Sequence, residues 1–241
     1  EPQYVLLKNA SANQGWRLFD SMRGISTGIP TTPGVDARLF PNNTDAESAA
    51  GDYIDLTPTG FKIKDNGSDI NGDANIMTFI AIRRPDGYVG KPVEDATKVF
   101  AMDVGNGNTD TPAFDSGFPV DMRIGKNPNS TEEWYVGNRF MYQVHVKTNS
   151  TSAQVAGSWS KFTYNTGEGA TWNAAYQGWM WKRHAGFDVV TYTGNGLNNR
   201  QLIHSLNKTP EMIWSKSRTQ TEGWPVYHKD MDTNDFLRLH T

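Results

Sequence analysis

Cysteine is missing from all 241 residues, which excludes disulfide staples, thiolate nucleophiles and cysteine-ligated metals. Long apolar runs are missing too, and with a mean hydropathy of -0.62 no segment reads as a membrane span. The chain does not open on a signal-like stretch. Neither sign of charge dominates: the formal net charge is -3, Lys and Arg are scattered, and no basic stripe offers a nucleic-acid footprint. Helical periodicity is nearly absent, apart from one turn expected near residues 44–50.

What is present is β-forming sequence cut by turns. The 23 Gly and 12 Pro separate short runs rich in β-branched and aromatic residues. These predict strands at residues 4–7, 16–19, 38–40, 53–56, 61–63, 76–82, 99–104, 122–124, 134–136, 140–146, 159–164, 176–181 and 187–192. Asn-Gly pairs beginning at Asn66, Asn71, Asn106 and Asn195 supply the positive backbone angles that tight turns demand. The fold class expected is all-β, an antiparallel β-sandwich, either as small separate sandwiches or as one merged jelly roll. At this length the chain can bury a sizeable core.

The chain also repeats itself. Pro2-Gln3-Tyr4-Val5-Leu6-Leu7-Lys8 returns as Pro210-Glu211-Met212-Ile213-Trp214-Ser215-Lys216, with a looser version at residues 119–126. Lys8, Lys126 and Lys216 each precede a Trp (Trp16, Trp134, Trp224) by eight residues. Ile76, Phe79, Ala81 and Arg83 line up with Tyr176, Trp179, Trp181 and Arg183, and Val104-Gly105-Asn106-Gly107 with Thr193-Gly194-Asn195-Gly196. The copies are read as 1–117, with insertions at 24–35 and 85–98, then 118–208, then a truncated 209–241. Such repetition is commoner in structural and adhesive proteins than in enzymes. The short third copy suggests a segment of a longer array or strands that pack back on earlier copies, and the segment reading is preferred.

The run from Trp179-Met180-Trp181-Lys182-Arg183-His184-Ala185-Gly186-Phe187-Asp188 to Gly194-Asn195-Gly196 is distinctive. With Ile203-His204-Ser205-Leu206 and Trp224-Pro225-Val226-Tyr227-His228, it resembles a tandem-repeat domain of marine bacteriophage tail-fibre and virion structural proteins. Trp16-Arg17-Leu18-Phe19-Asp20-Ser21-Met22-Arg23-Gly24 and Leu39-Phe40-Pro41-Asn42-Asn43-Thr44 look like a sister form of that repeat. The resemblance implies a concanavalin A-like lectin fold on a virion, often in tandem, and brings no catalytic residues. Tyr135-Val136-Gly137-Asn138-Arg139 lacks the Asp-x-x-Arg-Gly of the first copy, where a shared ligand site would be in doubt.

The recurring Trp16, Trp134 and Trp224 are expected in cores, and Asp20 with Arg23 as an ion pair at a strand end. Glycan-binding candidates are the aromatics outside the repeated pattern, Trp159, Trp172 and Tyr88, because rings on variable loops can stack on sugars. The segment holding Asp65, Asp69 and Asp73 has the alternating oxygen side chains of a calcium loop but no distal bidentate Glu, so a polar hairpin turn is the default. Glu132 and Glu133 are adjacent and on a strand would face opposite ways. Glu168 is a single acidic loop residue that would need a distant Asp as its partner, and the five His show no ligand spacing. No cofactor is expected.

The first reading is therefore a non-enzymatic bacteriophage virion structural protein, a fibre, appendage or decoration on particle surface or tail. Its partners would be other virion proteins and itself, as a homo-oligomer, with no nucleic acid and no membrane insertion. The cysteine-free composition fits a particle assembled in a reducing cytoplasm and later exposed. The second reading is a host-surface glycan-binding adhesin; a polysaccharide-degrading enzyme on the same fold is the third.

Overall fold

A computed structural model describes residues 2–25, 34–57, 60–82, 95–109, 111–158, 160–169, 171–232 and 235–240. The chain is all-β. Its strands are β1 (Tyr4–Asn9), β2 (Arg17–Asp20), β3 (Asp36–Leu39), β4 (Ser48–Gly51), β5 (Ile54–Thr57), β6 (Gly60–Ile63), β7 (Met77–Ile82), β8 (Phe100–Val104) and β9 (Phe114–Asp115). They continue with β10 (Met122–Lys126), β11 (Tyr135–Asn138), β12 (Val144–Lys147), β13 (Val155–Ala156), β14 (Gly167–Glu168), β15 (Gln177–Trp181), β16 (Met212–Trp214), β17 (Pro225–His228) and β18 (Leu237–Arg238). A short helix, α1 (Ser68–Asn71), and a 3-10 turn at Ala96–Lys98 complete the described elements.

All pairings among the described residues are antiparallel. The first sheet runs β4-β3-β2-β1-β7, the second β13-β12-β11-β10-β15-β8, and the third β16-β17-β18. Strand order thus recurs, and so does register. Tyr4 faces Asp20 and Leu6 faces Leu18; Met122 faces Asn138 and Ile124 faces Val136; Met212 faces His228 and Trp214 faces Val226.

The recurring lysine has one job in all three hairpins. Lys8 Nζ donates to the Gln14 carbonyl at 2.6 Å, Lys126 Nζ to that of Glu132, and Lys216 Nζ to that of Glu222 at 2.8 Å. Each bond closes the loop two residues before the tryptophan. The tryptophan amide is then capped from the turn after the third strand, by Asn42 Oδ1 at 2.7 Å, Asn149 Oδ1 at 3.2 Å or His240 Nδ1 at 3.0 Å. Both devices satisfy loop backbone groups that the ladder leaves over.

The cores differ where the register agrees. Val5, Leu7 and Phe19 fill the inward face of the first sheet, under the β5–β6 hairpin with Ile54 and Leu56 and under Ile70 of α1. Their counterparts in the second sheet are Arg123, Gly125 and Gly137. The glycines make room: a Cβ on Gly125 would meet an Arg123 guanidinium nitrogen at 2.8 Å, and one on Gly137 would meet Ser160 Oγ at 2.7 Å. Met180 of β15 shares this face beside Arg123, and over it pack Phe114, Phe118, Val120, Phe162 and Trp172. The opposite face of the second sheet carries Ile124, Val136, Val144 and Val146, covered by Trp224 and, in part, Leu239 from the third copy. Trp224 Nε1 donates to the Lys147 carbonyl at 2.7 Å. The third copy therefore packs back onto the second.

Several expectations are corrected. A turn is expected at residues 44–50; Ser48–Gly51 is instead strand β4. Residues 160–164 and 187–192 join no named strand. The Asn66 and Asn71 turns do not use a left-handed glycine, whereas Gly107 and Gly196 do, at φ 76° and 70°. Leu6 faces Ile80 and Ile124 faces Trp179, so Ile80, not Phe79, is the counterpart of Trp179, a one-residue change that swaps sheet faces. The boundary at residue 117 does not divide the sheets: β8 pairs with β15, and β9 pairs with β14. The last strands of the first sequence copy thus finish the second structural unit.

Of the three recurring tryptophans, Trp224 is buried, Trp16 half-buried, and Trp134 is 39% exposed. Trp134 stacks on Trp179 at a centroid distance of 5.5 Å.

Candidate functional site

The described residues form a cleft where the first two units meet. On one wall, β2 ends at Asp20, whose Oδ1 accepts the amides of Met22 at 3.0 Å and Arg23 at 2.8 Å. This tight turn, continued by Gly24 at φ 121°, a conformation that favours glycine, throws the Arg23 side chain across the strand end. Its guanidinium forms an ion pair with Asp20 and approaches Glu47 at 3.6 Å. The sequence-predicted Asp20–Arg23 pair is thus present. A Cβ on Gly24 would lie 3.4 Å from Thr163 Cγ2 of the opposite wall, so any larger residue there would reach that wall.

Two hollows share Arg23 and Thr163. The larger, about 490 Å³, is lined by Gln3, Tyr4, Asp20, Met22, Tyr164 and Asn165. The smaller, about 230 Å³, adds Glu47, Tyr142 and Lys161. Tyr164 is held by its hydroxyl, which donates to the Thr109 carbonyl at 3.0 Å. Three phenols, two amides and a guanidinium suit a polar, ring-bearing ligand. Both cleft carboxylates, Asp20 and Glu47, sit on the same guanidinium.

The junction is braced from within. Arg139, buried between units, donates to Asp121 Oδ1 at 3.0 Å, to the Ser21 carbonyl of the first unit at 2.8 Å, and to the carbonyls of Phe162 and Val120. Its neighbour Phe140 lies in the first unit's core. Arg183 pairs with Asp188 at 2.5 Å, and Asp188 in turn accepts from Ser205. Such interior ion pairs add little net stability, because each charge gives up its hydration to form them.

The sequence candidates fare unevenly. Trp172 is expected from sequence as a loop ring open to sugars; it is buried at 4% exposure, between Phe114, Tyr135 and Tyr176, with the Arg123 guanidinium 4.4 Å over its ring. Its faces are occupied, so it cannot stack on a glycan in this fold. Trp159 and Tyr88 lie outside the described residues. Asp65 and Asp73 flank α1 and Asp69 lies within it, where a hairpin is expected from sequence, and Asp69 is taken up by Arg17 at 2.8 Å and Arg38 at 3.3 Å. Among the described residues no cluster of three or more His or carboxylate side chains gathers for a metal.

Glu168 is fully buried against Arg123 Nε at 2.7 Å. Burial pushes its carboxyl up and Arg123 pulls it back. Glu132 receives the Tyr176 hydroxyl, which lowers its pKa, while burial and that same bond raise Tyr176 to about 12. Sequence reasoning does not find the cleft residues Tyr4, Tyr142, Tyr164, Asn165 and Lys161. Their one signal is that Tyr164-Asn165 belongs to the poorly matched stretch that also holds Trp159.

His145 gives the molecule an acid-sensitive point. It lies 4% exposed, edge-on to Tyr135 at 5.2 Å, and burial, with Arg123 and Lys147 adding repulsion, lowers its pKa from 6.5 to about 4. Below the ordinary value the unfolded chain takes the proton first, so stability is retained at neutral pH and lost as pH falls from 6.5 to 4. The expected loss is about 3 kcal/mol, since each tenfold fall in proton affinity corresponds to about 1.4 kcal/mol. Urea midpoints across that range should show it, and His145→Gln should flatten the profile; an unchanged profile would assign the acid loss elsewhere.

The sequence model described as Domain of unknown function (DUF7483) matches residues 1–84 and 146–241, more than half of the chain. The chain belongs to the DUF7483 family. The matched stretches hold β1 to β7 and, from within β12, the strands to β18, so the larger hollow draws on both: Tyr4, Asp20 and Arg23 from one, Tyr164 and Asn165 from the other. The buried Arg123 falls in the unmatched stretch of this DUF7483 chain. Comparisons with curated proteins and with solved structures each found no match. No helix among the described residues is long and apolar enough to cross a membrane.

Proposed function

We propose that this chain is a non-enzymatic structural protein of a bacteriophage virion, a fibre, appendage or surface decoration built from tandem β-sandwich units of concanavalin A-like type. The observation that carries the reading is strand sharing: β8 and β9, from the first sequence copy, complete the sheets of the second. Units joined in this way cannot hinge freely about a linker, because the connection is itself a sheet strand, and stiffness is what a shaft or decoration requires. The buried Arg139 and Phe140 at the same junction add to it. The motif resemblance to virion repeats supplies the particle.

An antibody against the chain, used for immunogold microscopy on purified particles, tests this reading. Label along a shaft, on an appendage or over the capsid is expected. Particles without label, and without peptides of the chain by mass spectrometry, would remove it.

Glycan binding is the second reading, favoured by the tyrosine-rimmed cleft around Arg23. On a multivalent particle, weak sites suffice. Arg23→Ala and Tyr164→Ala should each lower host adsorption about tenfold while particles still assemble, as loss of one good polar contact would do. Unchanged adsorption by both variants would take the cleft out of recognition.

A further inference from the structure

The second unit is finished by a strand from the sequence before it, and among the described residues no strand takes that place in the first unit. β15 is paired on both sides, by β10 and β8; its counterpart β7 is paired by β1 alone, with no second neighbour among the described residues. β7, Met77-Thr78-Phe79-Ile80-Ala81-Ile82, carries no charge, and Phe79, Ile80 and Ile82 are 57%, 51% and 54% exposed. An uncharged, exposed edge of this kind is a template for strand addition.

The chain also holds a spare copy of the completing segment. Thr193-Gly194-Asn195-Gly196 matches Val104-Gly105-Asn106-Gly107, and both turns place their last glycine at positive φ. Residues 189–193, Val-Val-Thr-Tyr-Thr, therefore correspond to β8, yet join no strand. Farther on, Ala113 and Phe114, both 0% exposed in the second unit's core, correspond to Leu202 and Ile203, which are 41% and 62% exposed. Among the described residues, one segment joins no sheet and one sheet edge has no strand beside it.

We infer that β7 accepts residues 190–193 of a second copy of this chain as an antiparallel sixth strand, joining copies head to tail. Carried over from the β15–β8 pairing, the register sets Thr78 opposite Thr193, Phe79 opposite Tyr192 and Ala81 opposite Val190. Val189 stays against the core of its own first unit. Volumes match as well. In the second unit the Phe114 ring lies 2.9–3.1 Å from where a Gly178 Cβ would be; in the first, Phe79 stands where Gly178 does and the incoming Ile203 where Phe114 does, so bulk is exchanged across the contact. The two surfaces differ, so the contact is heterologous and builds a ring or a filament. It stands independently of the virion reading, since any tandem protein of this architecture would present the same edge.

The absence of cysteine makes the test clean. Phe79→Cys and Tyr192→Cys chains are prepared separately, mixed and oxidised, with sedimentation of the wild type and of Ile80→Lys run alongside. The mixture is expected to yield the 79–192 disulfide as its main crosslink, the wild-type mass to at least double with concentration, and Ile80→Lys to remain monomeric with unchanged circular dichroism. A wild type that stays monomeric without the mixed disulfide overturns the inference. So does a Phe79→Cys chain that crosslinks mainly to itself, which would mean β7 pairs with β7.

Discussion

Replacing Arg123 by Ala is expected to lower folding stability by about 3–5 kcal/mol, because it strands a buried carboxylate. Arg123 is 0% exposed and gives Nε to Glu168 at 2.7 Å, one guanidinium nitrogen to the Tyr135 carbonyl at 3.0 Å and the other to Ser160 Oγ at 3.0 Å. Without it, only the weaker pull of Arg139 opposes the burial that already pushes Glu168 up, and the molecule must either hold an unpaired charge or protonate it. A paired Arg123→Met, Glu168→Met chain should recover most of the loss, since two similar apolar volumes carry no charge to desolvate. The first sheet shows that this scaffold accepts an apolar answer at the same place: Val5 and Phe19, at 1% and 0% exposure, stand where Arg123 and Gly137 stand. Urea midpoints of the three chains decide the matter. Equal losses in the single and paired variants would mean that the pair, and not the stranded charge, provides the stability.

Trp224→Ala is expected to cost about 3–5 kcal/mol as well, through a different route. The indole is the third copy's main contribution to the core it shares with Ile124, Val136 and Val146, and its Nε1 holds the Lys147 carbonyl at 2.7 Å. Truncation opens a cavity and frees a carbonyl in one step. The hydrogen bonds Gln154 N to the Arg218 carbonyl at 2.9 Å and Lys216 Nζ to the Thr151 carbonyl at 3.0 Å remain, so the third sheet should loosen rather than detach. Amide exchange should rise in residues 212–238 well before it rises in β10 or β11. A variant in which β10 and β11 exchange together with β17 would show that the third copy is inseparable from the second unit's folding.

The repeats are legible wherever one physical task recurs in each copy. Lys8, Lys126 and Lys216 close the same loop by the same bond, so spacing alone exposes them. What sequence similarity does not record is which sheet a strand enters. Phe114 belongs to the first copy by sequence and to the second unit by packing, because chain continuity and hydrogen-bonded neighbourhood are separate facts. Trp172 reads as a loop aromatic; it is buried because Arg123, Gly125 and Gly137 replace an aliphatic patch and leave a flat charged surface for a ring to cover. Residues 188–192 have the composition of a strand but join none among the described residues of the same chain, and composition cannot supply the edge. The cleft is hidden for a related reason: Arg23 and Tyr164 are distant in sequence and meet only when the units pack.

Hydrogen exchange followed by mass spectrometry on the intact chain tests strand sharing most directly. If β8 is the edge strand of the second sheet, peptides covering residues 100–104 share the slow exchange of those covering β15, and both lose protection in the same step as urea is raised. Fast exchange at 100–104 while β15 stays protected would contradict it, leaving the two units merely adjacent.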